Sequence, residues 1–189
     1  MKELLKHKAY ELLKTTYEKI DLDYVILSVE GEYKGIETHK DAVIKAFEIL
    51  NTRNQIQFGN EYDYDFEIKA EAENMQAQSV NMDELLQLPD DAYYDNRPKT
   101  KARNYSAPKP VTYWYAFLEP PHGVPYVKSD FLVFNDVLFP NKEHCFVYRW
   151  NDDFSNYFDA GKEWWGTGLW TIYDDYEGTV VVIGASLTD

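Results

Sequence analysis

The stretch "GLWTIYDDYEGTVVVIGASL", residues 168–187, decides the fold. Two apolar runs, rich in β-branched and aromatic residues, flank the polar turn segment 174–178, which ends in Gly178. A glycine-containing turn between two such runs predicts a β-hairpin. The second run is apolar at every position from 180 to 183. Because a strand with one solvated face would alternate, this run predicts a strand that is buried on both faces.

Several further elements surround the hairpin. Apolar residues at helical spacing predict helices over residues 2–20 and from Thr38 to about residue 50, and shorter helices within 81–88 and 130–139. Strands are predicted over residues 24–30, 61–73, 111–119 and 144–150. We therefore expect an α+β fold, a mainly antiparallel β-sheet with two or three helices packed on one face. The 189 residues fit a single domain over 1–189, with a long irregular connection at about 74–110.

The charge of the chain restricts its partners. There are 33 acidic side chains against 19 basic ones, a formal net charge of −14. Residues 21–96 hold 18 acidic and five basic side chains, whereas residues 97–110 hold five basic and no acidic ones. A field of this sign repels nucleic acid and anionic lipid and attracts basic proteins. We expect a positively charged protein partner, no nucleic acid and no membrane; the role of the basic segment 97–110 and the oligomeric state stay open.

The compartment follows from two further features. A single cysteine, Cys145, leaves no internal disulfide, which fits a reducing environment. The first 20 residues carry a charge every few positions, unlike a signal peptide, and no run of 18 apolar residues occurs. The sequence therefore predicts a cytoplasmic protein.

The stretch "EYDYDFEIKAEAE", residues 61–73, alternates strictly between apolar and charged side chains. This period of two predicts a strand with one buried and one solvated face. The side chains expected in the core are Tyr62, Tyr64, Phe66 and Ile68. Like charges in a row on one face cost stability, and a basic partner would relieve that cost. The acidic residues expected to contact a partner are Asp63, Asp65 and Glu67.

Aromatic side chains near the hairpin supply candidate anchors for the same partner. The segment "DAGKEWWGTGLW", residues 159–170, holds three Trp and three Gly. Adjacent rings point in different directions, so one of Trp164 and Trp165 is expected in the core, and the other either stacks on a ligand or partner or covers the sheet. Large aromatic rings are enriched among the residues that dominate binding energies. The aromatic residues expected to contact a partner are Trp164, Trp165 and Tyr173.

Chemistry-bearing residues give no catalytic signature. The four histidines lack metal-ligand spacing, and the acidic clusters lack the pattern of a calcium loop, so the sequence indicates no metal site and no cofactor. We expect Cys145 to be a small core residue on a strand. His122, in the Pro/Gly-framed loop "EPPHGVPY", could act as a general base that Glu119 orients.

Acidic rows with interleaved Tyr resemble, in character, the immunity proteins and antitoxins of bacterial toxin systems, whose carboxylates take the places of nucleic-acid phosphates. This resemblance implies an acidic binding module that inhibits a basic, nuclease-like toxin. Two alternatives remain open. One is an enzyme that uses His122 and carboxylates in an aromatic cleft; the other is a carbohydrate- or small-ligand-binding domain that uses the region of Trp164 and Trp165.

Overall fold

The computed structural model describes residues 1–59, 66–90, 94–95 and 111–187. In these ranges six strands form one antiparallel sheet in the order β1-β2-β6-β5-β4-β3. The strands are β1 (Lys2–Glu3), β2 (Asp23–Ser28), β3 (Ala77–Val80), β4 (Cys145–Trp150), β5 (Gly166–Asp174) and β6 (Thr179–Leu187). The α-helices are α1 (Lys8–Thr15), α2 (Ile36–Phe58), α3 (Met82–Leu85), α4 (Tyr113–Leu118), α5 (Lys128–Leu138) and α6 (Asp159–Glu163). The predicted α+β class is confirmed.

The hairpin predicted from residues 168–187 is the centre of the sheet. β5 and β6 pair over nine positions, from Gly166 with Leu187 to Asp174 with Thr179. Asp174 organises the turn, because its Oδ1 accepts hydrogen bonds from the amides of Tyr176 and Glu177 at 2.9 and 3.0 Å. Gly178 closes the turn with a φ of +63°, a conformation that glycine adopts without a steric penalty.

Helices cover both faces of the sheet, and β6 separates two apolar cores. Val181 and Ile183 pack on one side with α1, α4 and α5. Val180 and Val182 pack on the other side with α2. The predicted burial of this strand on both faces is therefore confirmed. The helices α1, α3, α4 and α5 contribute to the core on one face, and α2 adds a layer on the opposite face.

The long strand predicted over residues 61–73 is not found in the described part of that stretch. Residues 66–69 have no regular structure, Ala70 forms one isolated bridge with Ser155, and Ala72–Asn74 is a 3₁₀ turn. The prediction that Phe66 enters the core is wrong, because 44% of it is exposed, whereas Ile68 is buried as predicted. Asp63, Asp65, Tyr62 and Tyr64 lie outside the described residues.

Two asparagine side chains replace the missing strand partners. The Asn51 amide donates to the carbonyl of Ile68 and its Oδ1 accepts from the Ile68 amide, at 3.0 and 2.8 Å. Asn156 likewise accepts from the Lys69 amide at 2.7 Å and donates to the Glu67 carbonyl at 2.9 Å. Because side chains satisfy these backbone groups, the segment follows the protein surface without joining the sheet.

The strand predicted over residues 111–119 is also wrong, since Tyr113–Leu118 is the helix α4. Consecutive residues Tyr115, Ala116, Phe117 and Leu118 are all buried. A short apolar run of this kind has no periodicity to separate a buried helix from a buried strand. Its aromatic residues favour strands in isolation, and packing against α5 and the sheet overrides that preference.

The remaining differences concern boundaries. The helix predicted over residues 2–20 is a two-residue edge strand followed by α1. α2 begins two residues before Thr38 and buries the predicted stripe of Ala42, Val43, Ala46, Phe47 and Leu50. The predicted connection 74–110 contains β3 and the expected short helix α3, while residues 91–93 and 96–110 lie outside the described residues. None of the described helices is long and apolar enough to cross a membrane.

Candidate functional site

A mostly buried carboxylate marks the candidate site, at the start of β2. Asp23 pairs with Gly184 of β6, and Tyr157 donates a hydrogen bond to its Oδ2 at 2.8 Å. Gly184 makes this contact possible, since a Cβ there would lie 2.4 Å from the Tyr157 hydroxyl oxygen. The Asp23 Oδ1 has no hydrogen bond within the described ranges. One carboxylate oxygen is therefore left for a ligand.

The electrostatics at Asp23 reflect its burial. Loss of solvent raises the pKa of Asp23 above its ordinary value, and the hydrogen bond from Tyr157 and the charge of Arg53 offset only part of this rise. Arg53 is itself engaged, because it donates to the Tyr24 carbonyl at 3.1 Å and pairs with Glu3. Burial and the neighbouring Asp23 together hold the pKa of Tyr157 well above its usual range. A cationic group at Asp23 would reverse these costs.

Asp23 opens into a cavity of about 340 Å³, which we call the Asp23 crevice. Its walls come from β2, α2, the segment 66–68, the turn that precedes α6, α6 itself and the end of β6. The lining residues are Asp23, Leu50, Asn54, Phe66, Ile68, Asn156, Tyr157, Asp159, Ala160 and Ser186. Its two carboxylates, its amides and its apolar wall form a site that suits an aliphatic chain ending in a cation.

The crevice borders the surface that the sequence predicts as a contact face. Glu67 is exposed and lies 3.8 Å from Lys69, a solvated pair that contributes little stability. Its carbonyl is held by Asn156, a residue of the crevice wall. Glu67 is therefore the one member of the predicted acidic row that the described residues place beside the crevice.

The two adjacent tryptophans divide as the sequence predicts. Trp165 stacks on Tyr115 with ring centroids 4.9 Å apart and lies against the core. Trp164 is 68% exposed and follows directly on α6, which supplies Asp159 to the crevice. Trp164 is thus an exposed ring, but it does not line the crevice.

Tyr173 is placed differently from the other predicted anchors. It is only 5% exposed and stacks against Tyr33 with ring centroids 4.1 Å apart and planes within 2°. Phe146 extends this stack toward solvent. Because Tyr33 covers its face, Tyr173 is the buried member of the stack, and its ring is not accessible to a partner.

For the enzyme alternative, the structure shows a histidine–carboxylate pair that lies outside the three described cavities. His122 Nδ1 lies 3.0 Å from Asp21 Oδ2, and both side chains are about half exposed. Asp21 is therefore the carboxylate at His122, where the sequence had favoured Glu119. His122 lines neither the Asp23 crevice nor the two larger cavities on the other side of the sheet.

The Cys145 thiol is not activated as a nucleophile. Cys145 donates to the Asn141 carbonyl at 3.4 Å. Burial, with the charges of Asp174 and Glu143, raises the pKa of Cys145 to about 12. At neutral pH the group is a protonated thiol, and nucleophilic catalysis requires the thiolate.

Sequence reasoning missed Asp23 and Tyr157, which are 134 positions apart in the chain. Only the pairing of β2 with β6 brings them together. The available signal was the sequence "DLDYVILS", in which acidic residues stand directly before an apolar strand.

Because comparisons with known proteins give no match, the protein is classified by its fold and its crevice. No family model matches the chain, and no curated protein and no solved structure matches it either. The class that the structure defines is an α+β protein with a six-stranded antiparallel sheet and an acidic crevice at one end of β2.

Proposed function

We propose that this chain is an acidic, cytoplasmic binding module that neutralises a positively charged protein partner, plausibly a nuclease-like toxin. The observation that carries the proposal is Asp23, a mostly buried carboxylate with one free oxygen in an open crevice. A buried anion without a matching cation costs stability. A Lys or Arg side chain from a partner would supply that cation.

The surroundings of the crevice support a protein partner over a small cation. Asp159 lines the crevice and adds negative charge, Glu67 adds another carboxylate next to the lining residues Phe66 and Ile68 in the chain, and Phe66 adds exposed apolar area. An aromatic anchor beside a desolvated charge is the usual composition of an interface hot spot. The net charge of −14 would speed the approach of a basic protein over distances of about 10 Å or more at low salt.

Asp63 and Asp65 stay predicted partner contacts, and they lie three positions and one position before Phe66 in the chain. The single cysteine supports a reducing compartment such as the cytoplasm. A toxin that acts in the cytoplasm would encounter the protein there.

The test is affinity capture from the native host's lysate at low and high salt, followed by mass spectrometry of the retained proteins. The double variant D23N/D159N removes the charge of the crevice while keeping its shape. A matched control with the same change in charge, E11Q/E37Q, lies on α1 and at the start of α2, away from the crevice. We expect a basic protein that is retained at low salt and released at high salt.

Isothermal titration with the captured protein then measures the contribution of the crevice. Removing one member of a desolvated charge pair costs about 2–5 kcal/mol, so D23N/D159N should weaken binding by roughly 30-fold or more. E11Q/E37Q should change it by less than about threefold. Equal losses in the two variants would mean that net charge alone attracts the partner and that the crevice is not its binding site.

A further inference from the structure

An arginine that has no hydrogen-bond or ion-pair partner among the described residues lies on the opposite face of the sheet from α2. Arg149 of β4 pairs in register with Gln78 of β3 and with Trp170 of β5. Val147, two residues earlier on the same face, is buried in the core formed with α4 and α5. The Arg149 side chain therefore projects from the apolar face of the sheet and is half-buried.

Among the described residues, no acidic side chain contacts this cation directly. In the part of the chain that the structure describes, the Arg149 guanidinium has neither a hydrogen bond nor an ion pair. Burial lowers its pKa, while the charges of Asp152 and Glu84 act on it in the opposite sense from longer range. Asp152 accepts a hydrogen bond from Thr167 at 2.5 Å. A guanidinium stays protonated in proteins, and none of its five donors has a protein acceptor among the described residues.

Arg149 stands where two adjoining cavities meet, and we call the pair the Arg149 cleft. One cavity, of about 370 Å³, which we call the apolar chamber, has a lining that includes the apolar side chains of Val80, Leu85, Tyr113, Trp114 and Trp170. The other, of about 680 Å³, has a lining that includes the polar side chains of Gln78, Asn151, Asp152, Lys162 and Thr167. Both volumes fall in the range of small-molecule sites, roughly 300–1,000 Å³.

Trp170 and Tyr113 line the apolar chamber but are themselves buried. A Cβ on Gly168 would lie 2.2 Å from the Trp170 ring, so the missing side chain allows that ring to lie over the strand. Tyr113 packs beside it with ring centroids 5.8 Å apart. Trp114 is the partly exposed aromatic ring of the same lining, and an aromatic ligand stacks favourably on such a ring.

From this arrangement we propose that the Arg149 cleft binds a small molecule with one carboxylate or phosphate group on an apolar ring. The oxyanion pairs with the Arg149 guanidinium, whose planar fork matches either group with two parallel hydrogen bonds. The ring lies in the apolar chamber against Trp114, the partly exposed ring of its lining. Glu84 and Asp152 limit the site to one anionic group, because a second would meet their repulsion. This site is separate from the Asp23 crevice and does not depend on the proposed function.

Probe binding tests the site directly. Indole-3-acetate, phenylacetate and phenyl phosphate serve as anionic probes, and indole and tryptamine serve as the neutral and cationic controls. Binding is followed by ¹H–¹⁵N spectra of the indole N–H groups of Trp114 and Trp170. The variant R149M keeps much of the side-chain volume without charge, and K142M is the matched control because Lys142 lies on the surface beyond the other end of β4.

We expect the anionic probes to bind the wild-type protein and K142M alike, at least tenfold more tightly than indole or tryptamine. R149M should lose that preference. A stronger response to the phenyl or indole acetates identifies the carboxylate as the natural group, and a stronger response to phenyl phosphate identifies the phosphate. R149M should also unfold at an unchanged or higher Tm, because it removes an unpaired charge.

Two results would overturn the proposal. One is equal binding of anionic, neutral and cationic probes to the wild-type protein. The other is an R149M variant that retains the anion preference, whatever its Tm, because the guanidinium would then have no part in binding.

Discussion

His39 shows how one buried side chain makes the stability of this protein depend on pH. It is fully buried on α2, with Nδ1 2.8 Å from the Thr171 hydroxyl and Nε2 3.0 Å from the Tyr33 hydroxyl. Trp150 donates its indole N–H to the same Thr171 oxygen at 2.9 Å. Each nitrogen thus has a neutral partner, and no carboxylate forms an ion pair with the ring in the described ranges.

Burial therefore lowers the pKa of His39 from 6.5 to about 4. Between these two pH values the unfolded chain binds a proton that the folded chain does not, so stability falls as the pH drops from about 6.5 to about 4 and is unaffected above that window. At about 1.4 kcal/mol per pH unit, the loss from pH 7 to pH 4.5 is about 2–3 kcal/mol.

Urea unfolding of the wild-type protein and H39Q at several pH values tests this assignment. H39Q keeps two hydrogen-bonding groups but does not titrate, so its stability deficit should shrink by about 2–3 kcal/mol from pH 7 to pH 4.5. H144Q, at an exposed histidine, should keep the wild-type dependence. If the deficit in H39Q stays constant with pH, His39 takes up its proton over the same pH range in the folded and the unfolded protein, which would contradict this assignment.

None of this network was visible in the sequence at the level of single residues. His39, Thr171 and Trp150 come from α2, β5 and β4, and their meeting depends on how those elements pack. The same holds for Asp23 with Tyr157. Residue patterns predicted which side chains are apolar enough to be buried, but polar pairs across the core follow only from the completed tertiary structure.

Among the elements, the hairpin of β5 and β6 was predictable and the segments outside it were less so. Its turn chemistry and its two apolar runs favour the same structure, and local consistency of this kind makes a prediction reliable. The alternating stretch 61–73 follows the pattern of a strand, yet in its described part the side chains of Asn51 and Asn156 satisfy the backbone. In α4, burial on all sides removed the periodicity on which the prediction relied.

Two glycines of the hairpin test how tightly the faces of the sheet are packed. In G168A the new Cβ would meet the Trp170 ring at 2.2 Å, and in G184A it would meet the Tyr157 hydroxyl at 2.4 Å. Overpacking of this kind costs about 1–3 kcal/mol. We expect both variants to unfold at lower urea concentration than the wild-type protein.

The two variants also serve as controls for each other, because each disturbs a different ring. G168A should change the tryptophan fluorescence of the folded state through Trp170, whereas G184A should displace Tyr157 from Asp23 and leave that emission closer to wild type. If either alanine is accommodated without loss of stability, the ring that faces it is less fixed than the structure indicates.

At the scale of the whole molecule, the sheet is most protected at its centre and least at its edges. β6 is bonded to β2 on one side and to β5 on the other, and the two apolar cores cover its two faces. β1 and β3 are the outermost of the described strands, and they are only two and four residues long. Edge strands of this length open without exposing the core.

Hydrogen exchange measured on peptic fragments by mass spectrometry should reproduce this gradient. Amides of residues 180–185 should exchange only when the molecule unfolds, with a free energy equal to that from urea unfolding. Amides of residues 77–80 should exchange at least about 100-fold faster, because the free energy of opening the edge strand should be at least roughly 3 kcal/mol below that of global unfolding. Near the urea midpoint the two rates should converge, because global unfolding then dominates. Equal rates without urea would mean that β3 opens only with the whole sheet, and the layers would then form one cooperative unit from edge to centre.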